Sequence, residues 1–94
     1  MGRGMSEDEI RASILEEMYE YHWREATAMS RCLIFAQDHY TYRDLERAHL
    51  ITAEWTAREL MGLLKYDESE KRLRIIRDRV IADHKQLMEA EKIA

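Results

Sequence analysis

The chain has 94 residues, a formal net charge of −4 at neutral pH, 46% hydrophobic and 36% charged residues, one cysteine and no proline. That length gives one domain with a thin core unless copies pack together, and this residue balance excludes a disordered chain. The single Cys32 excludes an intrachain disulfide framework and suits a reducing cytoplasm, while the acidic balance argues against a dedicated nucleic-acid binder.

No apolar run approaches the length of a membrane span, the amino terminus lacks a secretory core, and no repeat at a solenoid period is present. Two of the three glycines fall in Met1-Gly2-Arg3-Gly4-Met5, which reads as a disordered tail of residues 1–5. Residues 6–94 then form a single helical domain, since nothing interrupts residues 6 to 61. Ser6 followed by Glu9 is a capping box, and Glu7-Asp8-Glu9 suits the positive end of a helix dipole. Along the first helix, Ile10, Ile14, Glu17 and Tyr21, flanked by Met18, draw one stripe that is expected to face inward. The helix should end between Trp23 and Arg31, where Thr27 and Ser30 are the cap candidates.

The second helix carries the most regular stripe: His39, Tyr42, Glu46, His49, Leu50, Ala53, Ala57, Leu60 and Leu64. Gly62 loosens its last turn. Asp67 with Glu70 forms a second capping-box pattern, which opens a third helix with Leu73, Ile76, Val80, His84 and Leu87 inside and Ile75 and Ile93 outside.

Glu46-Arg47-Ala48-His49 lies in the middle of the second helix, and residues three apart share a helix face, so Glu46 and His49 can reach one metal ion together. Some Glu three positions before a His is expected by chance in a chain this rich in Glu, so the pair gains meaning only from its context. That context is Glu17. Placed on an apolar stripe, with Glu16 and Glu20 to its sides, its carboxylate would be buried and would require a proton, a partner or a metal.

Glu16-Glu17-Met18-Tyr19-Glu20-Tyr21-His22-Trp23, followed by Glu46-Arg47-Ala48-His49, resembles the ferritin-like half-bundle of the encapsulated ferritins and, more loosely, of the rubrerythrins. In those families a Glu on the first helix precedes an aromatic by six residues, here Trp23, and the second helix carries Glu-x-x-His. Arg43-Asp44 and Glu54-Trp55 add to the likeness, which covers roughly residues 10 to 60. The resemblance implies an all-α hairpin with a third helix, completed into a four-helix bundle by dimerisation, with larger rings and an encapsulin shell as further partners. It also implies a di-iron site shared by two chains, with Glu17, Glu46 and His49 as metal ligands and catalytic residues that oxidise ferrous iron with dioxygen. Carboxylates and imidazole suit iron in both oxidation states. Tyr21, Tyr42 or His39 would supply supporting hydrogen bonds, and Glu16 and Glu20 would form an outer entry path.

For Glu17 and Glu46 to stand level in one antiparallel hairpin, the turn must centre near residue 31 or 32, in Ser30-Arg31-Cys32-Leu33. A turn at Thr27 to Arg31 preserves that register, whereas one at Asp38 to Thr41, where Thr41 and Asp44 would make a capping box, separates the ligands. The later break also supports a rival reading. With helices starting after Thr41 and after Thr52, the spacing Thr41, Leu45, Ile51, Leu60 and Leu63 resembles a helix-turn-helix, and Lys71 to Arg79 would add five basic residues for DNA contact. Glu54 and Glu59 charge that recognition helix poorly. A plain helical oligomerisation or adaptor protein is the third alternative. In that reading His22 is a surface residue, His84 an inward histidine with its own hydrogen bond, and Trp23 and Trp55 are packing residues.

Overall fold

The computed structural model describes residues 6–32 and 39–93, as three helices: α1 Glu7–Cys32, α2 His39–Leu63 and α3 Tyr66–Ile93. The expected tail of residues 1–5 lies outside the described residues, as do Leu33 and Asp38. α1 begins as read from the sequence: the Ser6 hydroxyl accepts the Glu9 N–H at 3.2 Å, and Glu7, Asp8 and Glu9 occupy the first turn. Its end departs from expectation. Thr27 does not cap anything; its hydroxyl donates back to the Arg24 carbonyl inside a helix that continues to Cys32. α2 already includes Thr41 and Asp44, so these residues do not open it.

α1 and α2 form an antiparallel hairpin in which His22 stands opposite His49. Glu25 therefore stands level with Glu46, and Glu17 level with Glu54. The same register puts Trp23 against Leu50 and Glu54, and Arg11 and Leu15 against Glu59 and Leu63. α2 is unbroken through Thr52, whose hydroxyl donates to the Ala48 carbonyl within the helix, so the second start that a helix-turn-helix needs is absent.

The core is built from Ala12, Tyr19, Ala53, Leu60, Leu73, Ile76 and Val80, with Leu15, Trp23, Ala57, Met61 and Leu64 packed around it. The α2 and α3 stripes read from the sequence largely point inward, although Leu50 and Leu87 are exposed. The α1 stripe does not. Ile10, Ile14, Met18 and Tyr21 are exposed, with Ile14 at 52% and Tyr21 at 56%, and Glu17 is exposed among them. The inner side of α1 instead carries Ala12, Tyr19 and Ala26, seven residues apart. Alanine lets a neighbouring helix backbone approach closely, and a branched side chain at the same position would hold it off.

A two-residue link, Leu64 and Lys65, joins α2 to α3. α3 starts at Tyr66, so Asp67 sits in its first turn and favours the helix through the dipole rather than as the cap. Glu70 bonds Arg77 at 3.0 Å instead of reaching back to Asp67. Buried Ser69 donates to the Leu60 carbonyl at 3.4 Å, which fixes the corner. Along α1, α3 is fastened by polar contacts: Arg72 to Glu16 at 3.6 Å, Arg77 to the Tyr19 hydroxyl at 3.0 Å, Arg79 to Glu20, and Asp83 to Arg24 at 2.9 Å. Arg72, Arg77 and Arg79 of the basic run are thus drawn onto α1, while Arg74 pairs with Glu70 within α3. Among the described residues no helix is long and apolar enough to cross a membrane.

Candidate functional site

Glu46 and His49 share the inner face of α2 and are both half-buried, as the sequence pattern indicated. Tyr42, one turn earlier on the same face, is also half-buried, while the side chain of His39 lies outside the described residues. Glu17 does not join them within one chain. It projects from the face of α1 that points away from the core, and it lies eight residues before Glu25, the position level with Glu46. At a rise of about 1.5 Å per residue that is about 12 Å along the hairpin. The cause is the connection: α1 runs to Cys32 and α2 begins at His39, so the link centres about four residues beyond the position, residue 31 or 32, that would have kept the two carboxylates level.

Glu16 and Glu20 face α3 and, with Glu17, Arg72 and Arg79, line an open groove between α1 and α3. Glu16 pairs with Arg72, and Glu20 takes hydrogen bonds from Arg24, at 2.9 Å, and Arg79. Partial burial works to raise the Glu20 carboxyl pKa, but the hydrogen bonds and charges of the two arginines outweigh it and hold the group below its ordinary value. Trp23 is half-buried against the core, its ring centroid 6.2 Å from that of Tyr19.

The residue that sequence reasoning missed is His22. Instead of standing on the surface, it is half-buried, with its Nδ1 atom 3.0 Å from the Nδ1 of His49. The two rings lie 5.3 Å apart, and the Tyr21 ring meets both edge-on, at 5.0 Å from His22 and 6.3 Å from His49. Burial and the neighbouring His49 lower the His22 pKa, with the Glu25 carboxylate acting in the opposite direction. A signal for this pairing is present in the sequence. His22 and Glu25 repeat the Glu46 and His49 spacing of three in reversed order, which is the order two antiparallel helices need to bring like residues opposite one another.

His84 departs from expectation as well. Its Nδ1 is buried without a hydrogen-bond partner among the described residues, and the adjacent Asp83 pairs with Arg24. Among the described residues of one chain, no three His, Cys, Asp or Glu side chains are grouped so as to hold a metal ion. A di-iron site made of Glu17, Glu46 and His49 therefore does not fit within a single chain. No family model matches the sequence, and comparisons with curated proteins and with solved structures find no significant match.

Proposed function

We propose that the chain is a ferritin-like, iron-binding protein whose ligand set closes only between copies, where it oxidises ferrous iron with dioxygen. The observation that carries this reading is the placement of Glu17. Its carboxylate stands in a stripe of Ile10, Ile14, Met18 and Tyr21 that the chain leaves uncovered. A second copy laid on that stripe would remove both the apolar side chains and the carboxylate from water. A carboxylate desolvated in this way needs a counter-charge, which ferrous iron supplies. Glu46 and His49, held on a common face of α2, are the remaining donors, and oxygen and imidazole ligands suit iron. The resemblance of residues 10 to 60 to the encapsulated ferritins agrees with this assignment.

The test measures bound iron, oxygen consumption and solution mass on the same samples, before and after addition of ferrous salt under air. The parent chain should take up iron, consume oxygen and increase in mass. Glu46→Ala and His49→Ala should lose iron while keeping their helicity, and Glu17→Ala should lose the oxygen consumption and the iron-driven gain in mass. Stoichiometric iron retained in both Glu46→Ala and His49→Ala would overturn the assignment. The same uncovered stripe favours one other reading, a helical protein that associates without metal. Its mark would be an oligomer that persists in chelator and shows no oxygen consumption.

A further inference from the structure

The contact between His22 and His49 brings two ring nitrogens face to face and needs either a shared hydrogen or a cation between them. Two lone pairs 3.0 Å apart repel, and so do two N–H groups. One neutral ring that carries its hydrogen on Nδ1 and donates to the lone pair of the other satisfies the geometry, and so does a cation held by both. Metal–nitrogen bonds of about 2.0–2.1 Å place neighbouring ligand nitrogens about 3.0–3.4 Å apart. The observed separation therefore lies at the edge length of a metal coordination sphere.

The surroundings supply further donors. Glu25 lies one helical turn after His22, and Glu46 one turn before His49, so each imidazole has a carboxylate on its own helix within reach of a side-chain rotation. The register makes the two carboxylates level with each other, just as it does the two histidines. All four residues are half-buried, and Tyr21 screens both rings on one side. As the side chains stand, only the two imidazoles converge.

We infer that His22 and His49, with Glu25 and Glu46 turning in to complete the set, form an intrachain site for one divalent first-row transition ion. Two imidazoles and two carboxylates match the preferences of zinc, cobalt and ferrous iron, and disfavour calcium and magnesium, which take oxygen ligands. The site shares Glu46 and His49 with the two-chain reading above. It does not depend on that reading, because it uses the hairpin of one chain and neither Glu17 nor a second copy.

Cobalt(II) tests it without oxygen chemistry, since its visible absorption reports ligation by imidazole and carboxylate. Titrated with cobalt chloride, the full chain should bind one ion per chain. His22→Gln, which keeps a polar side chain of moderate size, should weaken binding by about tenfold or more with helicity unchanged. Glu25→Gln should weaken it by a smaller factor, and Glu17→Ala should leave it within about twofold of the parent. Equal affinity in His22→Gln and the parent would overturn the proposal, as would the absence of saturable uptake by the parent. Loss of cobalt in Glu17→Ala would also overturn it, since the ion would then sit at the shared contact. Cobalt retained in Glu17→Ala, with no ferrous oxidation by the parent, would support this site and reject the ferroxidase alone.

Discussion

The two faces of α1 have exchanged the compositions that a hydrophobicity argument would assign them. The covered face presents Ala12, Tyr19 and Ala26, while the uncovered one presents Ile10, Ile14, Met18 and Tyr21. A helix with apolar residues on opposite sides has two surfaces to bury. The hairpin takes the side with small residues, because two antiparallel helices gain most from close backbone approach, and the same side lets Tyr19 accept from Arg77 of α3. The larger aliphatic side remains for a neighbour. The same imbalance holds across the described residues: twelve large hydrophobic side chains are exposed, and of the eight buried hydrophobic residues three are alanine. A core of that size leaves the isolated chain close to marginal, and covering the outer faces would add to its stability.

Substitutions can separate the two faces. The largest effect on the isolated chain is expected from Leu60→Ala, which empties a fully enclosed position in the inner core and should cost about 2–5 kcal/mol, read from urea or thermal unfolding. A loss much smaller than this would mean that the inner core is not the main source of stability. Tyr19→Phe keeps the inner packing and removes only the hydroxyl that accepts from Arg77, so a smaller loss of about 1–2 kcal/mol is expected. Its size measures how firmly α3 is held to the hairpin. Ile14→Ser on the outer face should change the stability of the dilute chain by about 0.5 kcal/mol or less. Yet it should reduce concentration-dependent association in sedimentation or light scattering. Equal losses of chain stability in Ile14→Ser and Leu60→Ala would erase the distinction between the faces.

Some of this arrangement was legible in the residues. The Ser6 cap, three helices, the inward stripe of α2 and the common face of Glu46 and His49 follow from spacing and capping chemistry, which act within a few residues of one another. The inner face of α1 was not legible. Ile10, Ile14 and Tyr21 offer a stronger periodic signal than Ala12 and Ala26, and periodicity measures apolar character without knowing which side a neighbour can approach. The level of Glu17 relative to Glu46 was hidden for a different reason. Ser30-Arg31-Cys32-Leu33 contains none of the residues that mark a turn, so the register of the hairpin had no local signature.

The sequence by itself determined that this protein is helical and that Glu46 and His49 stand on one face. Those outcomes rest on helix geometry and on capping groups that lie near one another in the chain. Only the tertiary structure decided that α1 turns its branched residues outward, that Glu17 stands apart from its supposed co-ligands, and that His22 meets His49. These depend on where one helix stops and how closely the next approaches it. A shift of one residue in that register rotates a side chain by about 100° around the helix, enough to move it from the contact to the solvent.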